Sequence, residues 1–399
     1  MEAEVLKPIA FVTPWYGEKI SGGAEAELRG LVHHLSDAGM DLEILTTCVE
    51  SFQSDWSKNF HRPGTSTIEG LTIRRFPVRR RRLRVFDEIN TKLRREEGIS
   101  KEEEALFLRE MVNSPKLYQF IRGNKDRYAL FVFIPYMFGT TYYGVQSCLE
   151  KAVMIPCLHD EAYARIELFK ETYSKVAGMI FNAEPERELA ARLYGVEGEA
   201  FQTFGLGMDT DWTGKAERFR EKYGMNGPFL LYAGRKEAGK KVDVLVHFFE
   251  RYKREHPSDL KLVLLGGGEI EIGCDEILDL GFVPIEDKYD AYAAASAFVN
   301  PSQFESFSIV IMESWLAERP VLVNADCPVT TDFAQKANAG LYYCGYREFE
   351  ACLDYLLSHK VQADQMGRNG RRFVLEHFAW GVIVERYREY FERMAERCE

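Results

Sequence analysis

Phe229-Leu230-Leu231-Tyr232-Ala233-Gly234 is an apolar run that ends on a glycine, with Arg235 following at once. Its length and bounding residues suit a buried strand. A polar loop comes next, then a helical pattern through Val244, Leu245 and Phe248. Leu260 to Leu265 reads as another strand, closed by Gly266-Gly267-Gly268, and Ala297-Phe298-Val299 and Pro320-Val321-Leu322-Val323 add two more. Strand and helix in short alternation predict a parallel sheet covered by helices on both faces.

The same alternation is present upstream. Pro8 to Pro14 holds a first strand, and a helix pattern runs through Leu28, Leu31, Val32 and Leu35. Asp41–Thr47, Leu71–Val78, Ala129–Ile134, Val153–Leu158 and Gly178–Asn182 follow as strands, and Pro185–Leu193 as a helix. The fold class expected is α/β, with two Rossmann-like, doubly wound domains facing across a cleft. Ligands in such sheets sit at the carboxyl ends of the strands. The expected division is residues 1–206 and residues 207–380, with Gly205 to Pro228 as linker. A last helix within residues 381–399 is expected to return to the first half.

Bulk properties are consistent with this. A chain of 399 residues is long for one core. With 46% hydrophobic and 28% charged residues, the composition is that of a globular protein, and no run is long enough to span a bilayer. The N-terminus shows no basic start followed by an apolar core, so a cytoplasmic location is expected. Eight cysteines without a C-x-x-C pair fit reduced thiols better than a disulfide or zinc framework. The net charge of −11 argues against nucleic acid as a partner.

The chemistry concentrates in Glu305-Ser306-Phe307-Ser308-Ile309-Val310-Ile311-Met312-Glu313-Ser314-Trp315-Leu316-Ala317. Read as a helix from about Phe307, this segment is apolar nearly all round and carries one acid, Glu313. A carboxylate there needs donors, and the two hydroxyls of a ribose would supply them. Glu305 stands just before the helix, whose free N–H groups attract an anion such as phosphate. Arg235 and Lys240, at the carboxyl end of a strand in the same half, are placed to neutralise a diphosphate. In the first half, Ser21-Gly22-Gly23-Ala24-Glu25 opens the first helix after a strand, where glycine lets the backbone approach phosphate oxygens.

Taken together these residues resemble the family-4 retaining glycosyltransferases, which have the GT-B fold. The resemblance covers nearly the whole chain and rests on Gly234-Arg235-x4-Lys240, on the Glu305/Glu313 pair and on Ser21–Glu25. It implies that Arg235 and Lys240 hold a donor diphosphate and that Glu313 binds the ribose. Glu305 would contact the transferred sugar, with Ser306, Phe307, Ser308 and Ile309 lending backbone N–H groups. Gly22 and Gly23 would close on the diphosphate, and the loop Phe282–Pro284 would hold the base. Family members often carry a histidine in a loop of the first domain. The matching loop here, Phe133 to Thr141, has none, and His159 after the next strand is the candidate in its place. Ser306 and Ser308 stand where glycines are frequent.

The function so implied is retaining transfer of a sugar from a nucleoside-diphosphate sugar to an acceptor hydroxyl, in polysaccharide, glycolipid or glycoconjugate biosynthesis. The acceptor is a sugar, a glycolipid or a small molecule. No metal and no other cofactor is expected, and Asp209-Thr210-Asp211, although it spells D-x-D, is read as a turn in the linker. Two alternatives are a nucleotide-sugar epimerase and a non-catalytic nucleotide-sugar-binding protein on the same scaffold. Residues 79–104 stand apart, with arginines at 79–82 and 84 followed by acids. They read either as a solvated helical insertion with internal ion pairs or as a basic face, Arg79 to Arg84, that meets anionic membrane or a charged acceptor.

Overall fold

The computed structural model describes residues 7–18, 20 and 22–398. The chain divides into two compact units, Met1–Gly207 with Ile383–Glu399, and Met208–Val382.

The first unit is built on eight strands: β1 (Ile9–Val12), β2 (Leu42–Thr47), β3 (Gly64–Ile68), β4 (Leu71–Phe76), β5 (Leu130–Phe133), β6 (Ala152–Met154), β7 (Gly178–Phe181) and β8 (Phe201–Thr203). Their order is β3-β4-β2-β1-β5-β6-β7-β8, parallel throughout except for β3 against β4. Every residue of β1, β2, β5 and β7 is buried, as strands covered on both faces must be. The order reverses beside β1, so a crevice forms at its carboxyl end, where the helix Gly23–Asp37 begins. That helix buries Leu28, Leu31, Val32 and Leu35, the residues its periodicity singled out, and also Glu27.

The arginine-rich insertion is more than a solvated helix. Helix Leu83–Arg94 buries Phe86, Ile89 and Leu93, and Phe86 stacks on Phe107 of helix Lys101–Glu110 at 5.0 Å. Arg79, Arg81, Arg82 and Arg84 are each tied down. Arg79 and Arg82 pair with the fully buried Glu110 at 2.8 and 3.2 Å, and Arg84 pairs with Glu88 at 2.9 Å. Glu110 is partly desolvated, yet the bonds from Arg82 and Arg79 hold its carboxyl down at about 2. Arg81 lies over the rings of Trp56 and Phe86, 4.8 and 4.4 Å from their centroids.

The second unit has six parallel strands: β9 (Phe229–Ala233), β10 (Lys261–Leu265), β11 (Ile277–Gly281), β12 (Ala297–Asn300), β13 (Val321–Asn324) and β14 (Gly340–Tyr343). Their order is β11-β10-β9-β12-β13-β14, which reverses between β9 and β12. The stretch read as linker contains helix Ala216–Tyr223, and it belongs to this unit's fabric. Lys222 pairs with Asp287 at 2.6 Å, Arg218 grips Asp290, and a Cβ on Gly214 would fall 2.0 Å from the Tyr289 carbonyl. Asp209 of the D-x-D triplet accepts the indole N–H of Trp380 at 2.8 Å, a structural bond.

The last helix spans Trp380–Cys398, and from Ile383 onward it belongs to the first unit. There Phe391 meets Phe11 of β1 edge-on at 6.2 Å, and Tyr390 donates to the Ala200 carbonyl at 2.7 Å. Gly178 makes room for this helix, since a Cβ on it would lie 2.1 Å from the Tyr390 hydroxyl. Among the described residues no helix is long and apolar enough to cross a membrane.

Candidate functional site

In the second unit, β9 delivers its carboxyl end to a tight turn. Gly234 has φ +156°, and a Cβ there would crowd the Tyr232 hydroxyl at 2.8 Å. That hydroxyl donates to the Arg235 carbonyl at 2.8 Å and so fixes the turn. The Arg235 side chain is exposed and lies 3.2 Å from Glu237. Lys236 is 99% buried in its side chain and pairs with Asp279 at 2.9 Å. Its ammonium also reaches the Gly266 carbonyl, so it ties the turn after β9 to the glycine run after β10. The glycines permit this close passage, because a Cβ on Gly268 would sit 2.7 Å from the Lys236 carbonyl.

Lys240 ends a single 3-10 turn, Ala238–Lys240, and turns inward. Its ammonium donates to Glu305 Oε1 at 2.8 Å, with both side chains largely buried. Residues 65 positions apart in the chain thus meet where β9 and β12 end. Asn300, the last residue of β12, supports the acid from below. Its Nδ2 lies 3.4 Å from Glu305 Oε1 and 2.9 Å from Ser308 Oγ, while its Oδ1 accepts the Ser302 N–H at 3.0 Å. Asn300 went unnoticed in the sequence, although a lone amide closing an apolar strand was a usable signal.

The helix carrying Glu313 starts at Ile309, two residues later than its apolar pattern suggests. Ser308 caps it with φ +80°, a left-handed conformation that disfavours any side chain. This is the physical reason glycine suits that position, and serine holds it through its bond to Asn300. Phe307 is core, packed edge-on against Phe333 and Phe378 at 5.3 and 5.0 Å. Ser306 is partly exposed on the loop, and Ile309 opens the helix with its N–H at the free end.

Glu313 is buried, with 7% of its surface exposed, but it is not without donors. Lys288 gives it a bond of 2.6 Å and the Tyr292 hydroxyl one of 2.9 Å, each to a different oxygen. The acid therefore needs no ribose to be tolerated, contrary to expectation: the helix Ile285–Ala294 already satisfies it through two residues one turn apart. Each oxygen keeps a further lone pair for a ligand hydroxyl. Phe282 stands exposed after β11, against Gly267, where an added Cβ would strike its ring at 2.5 Å.

The candidates of the first unit lie at the carboxyl edge of its sheet. Ser21 is outside the described residues. Gly22 has φ +148°, and a Cβ on it would collide with Glu25 Oε2 at 1.9 Å, whereas Gly23 opens the helix with free space around it. Glu25 accepts the Trp15 indole N–H at 2.7 Å. His159 follows β6 and places Nδ1 3.7 Å from Glu161, which also accepts the Tyr136 hydroxyl at 3.0 Å. Beneath it lies a buried acid network that the sequence did not announce. Glu186 accepts the N–H groups of Leu158 and Asn182, both at 2.6 Å, and burial lifts its carboxyl to about 8. Glu27 accepts from Asn182 Nδ2 at 3.1 Å and from the Cys157 thiol at 3.4 Å, and burial lifts it to about 7.

One trio elsewhere, Glu255, His256 and Glu350, brings potential ligand atoms together. Arg347 bridges the two acids at 3.1 and 2.8 Å, so a guanidinium already occupies the cation's place.

The two Rossmann-like α/β units have the GT-B fold. Residues 227–359 match the family model described as "Glycosyl transferases group 1". Among curated relatives, a D-inositol 3-phosphate glycosyltransferase of Xylanimonas cellulosilytica is 27% identical over 202 residues, 44% of this chain and 47% of that protein. An uncharacterized glycosyltransferase of Methanocaldococcus jannaschii is 24% identical over 219 residues, 52% of this chain and 54% of that protein. The chain thus spans about half the length of the curated relatives it matches. Among solved structures, the sucrose-phosphate synthase of Thermosynechococcus elongatus aligns over 97% of this chain and 99% of its own, with a TM-score of 0.71 at 16% identity. The Anabaena protein HepE, solved with UDP and glucose, aligns over 97% and 100% with a TM-score of 0.65 at 13% identity. Together these findings show the GT-B fold and a likeness to glycosyltransferases that is strongest in the second unit.

Proposed function

We propose that the protein transfers a sugar from a nucleoside-diphosphate sugar to an acceptor hydroxyl with retention of the anomeric configuration and without a metal ion. The observation that carries this reading is the 2.8 Å contact between Lys240 and Glu305 at the ends of β9 and β12, in front of the free helix start at Ile309. An ammonium and a helix N-terminus both favour the negative charge that gathers on a leaving diphosphate. Glu305 then orients the sugar, Arg235 adds charge from the exposed turn, and Glu313 accepts ribose hydroxyls beside Lys288 and Tyr292. The departing phosphate takes the acceptor proton on the face it leaves, a route that retains the configuration without a covalent intermediate. HepE binds UDP and UDP-glucose, and these are the first donor probes to use here.

The test has two stages. A thermal-shift screen with UDP, GDP and ADP identifies the nucleotide, since a ligand at 100 times its Kd adds about 2.7 kcal/mol of stability. UDP release from UDP-glucose, or from the sugar of whichever nucleotide binds, is then followed with a pool of acceptors. Lys240→Ala is expected to lower turnover about 100-fold while the fold survives. Turnover near that of the wild type would refute the site, and stabilisation by none of the nucleotides would refute the donor class.

A further inference from the structure

Asn300 closes β12 with 3% of its surface exposed, and its amide serves three partners. Oδ1 accepts the Ser302 N–H at 3.0 Å, a group that can only donate, so the amino end of the side chain faces the other way. There it donates to Ser308 Oγ at 2.9 Å and, more weakly, to Glu305 Oε1 at 3.4 Å. One amide thus ties the end of the strand to the acid and to the residue that precedes the helix Ile309–Leu316.

Ser308 is an unusual helix cap. A serine in that place ordinarily takes an extended backbone and turns its hydroxyl onto the N–H of the second or third helical residue, here Val310 or Ile311. Ser308 does neither. Its φ and ψ are +80° and +75°, and its side chain bonds to no N–H of the helix. A left-handed backbone is unfavourable for a residue with a Cβ, so it needs support, and the bond from Asn300 supplies it. With the hydroxyl held back, the helix start stays uncapped. In the self-capped alternative an oxygen would lie over those N–H groups, filling the place of an anion and repelling it.

We propose that Asn300 is a positioning residue: by holding Ser308 Oγ back in the left-handed conformation, it keeps the N–H groups at the start of the helix Ile309–Leu316 open for the donor's phosphate. That a phosphate is what binds there rests on the transferase reading above; the latch between Asn300 and Ser308 does not. Freed of Asn300, Ser308 returns to an extended backbone and caps its own helix. Glycine at position 308 has no oxygen to cap with and no Cβ to disfavour a positive φ, so it restores the open start without Asn300.

The test uses Asn300→Ala, Ser308→Gly and the double variant, with UDP and uridine as probes in isothermal titration. GDP with guanosine, or ADP with adenosine, replaces them if that is the nucleotide the wild type binds. Asn300→Ala should weaken UDP about 10-fold, the worth of a helix start to a partly buried anion, and leave uridine within about 2-fold. Adding Ser308→Gly should recover most of the loss. Hydrogen exchange of the unliganded proteins reads the cap directly. The Val310 and Ile311 amides should exchange more slowly in Asn300→Ala than in the wild type, the reverse of what loosened packing produces, and the double variant should lose that protection. If Asn300→Ala does not fold, Asn300→Leu takes its place, filling similar space without a donor. UDP binding unchanged in Asn300→Ala, equal loss of UDP and uridine, no recovery in the double variant, or no added protection at Val310 and Ile311 overturns the proposal. A wild type that binds none of the nucleotides while the exchange pattern holds leaves the latch standing and sinks the donor reading.

Discussion

Replacing Glu27 by glutamine should make the protein more stable above neutral pH, by an amount the structure sets. The side chain is 4% exposed on the helix Gly23–Asp37, and burial lifts its carboxyl from 4.5 to about 7 against the pull of Cys157 and Asn182. At 1.36 kcal/mol per decade, that rise disfavours the ionised folded state by about 3 kcal/mol. Because the folded carboxyl holds its proton more tightly than the unfolded one, its contribution is whole below about 4.5. It is lost as pH rises through the window to about 7, and is constant above it. Glutamine removes the titration and keeps an oxygen for Asn182 Nδ2. Its amide also puts a donor where Oε1 has no partner, in a region where Asn182 Oδ1 is likewise unpartnered. The difference between Glu27→Gln and wild type should therefore grow by about 3 kcal/mol between pH 4.5 and pH 8, roughly 6–12 °C in Tm for a unit of this size. Glu186, lifted to about 8, is present in both proteins and drops out of the difference to first order. Melts or urea titrations of both proteins at half-unit steps of pH measure it. A difference that does not change with pH, or a less stable variant at pH 8, would mean that burial does not lift the Glu27 carboxyl.

Glu313→Ala should lower stability by about 2 kcal/mol, because it strands the partly buried Lys288, and should weaken nucleotide binding as read by calorimetry. Adding Lys288→Met should return the stability but not the binding. Gly178→Ala should lower the Tm by several degrees, since its Cβ must displace the Tyr390 hydroxyl or the Ala200 carbonyl 2.7 Å away. Loss of near-ultraviolet signal from Tyr390 and Phe391 would accompany it, and an unchanged Tm would show that the helix yields freely.

Most strands were legible because a strand covered on both faces is an unbroken apolar run, and β1, β5, β9 and β10 are such runs. β3 was not, because Gly-Thr-Ser-Thr-Ile lies exposed at the sheet's edge and has no buried face to leave a period. β11 escaped for a related reason, with Asp279 pointing out of an edge strand. The chemistry of the second unit was readable where residues cluster along the chain. It failed where the partner comes from afar: nothing near Glu313 points to Lys288 and Tyr292, and nothing near Glu27 to Asn182, 155 positions away. Glu27 and Glu186 sit on amphipathic helices where an acid is ordinarily solvated, so their burial depends on how the helices pack.

Residues 208–382 are inserted within the first unit, whose final layer, Ile383 onward, comes after them in the chain. During synthesis, β1 and its seven companion strands leave the ribosome long before Phe391 can cover Phe11 or Tyr390 can reach Ala200. The second unit is continuous and can close as it emerges, whereas the first waits with an open flank until the residues from Ile383 onward have been made. The half made first is finished last.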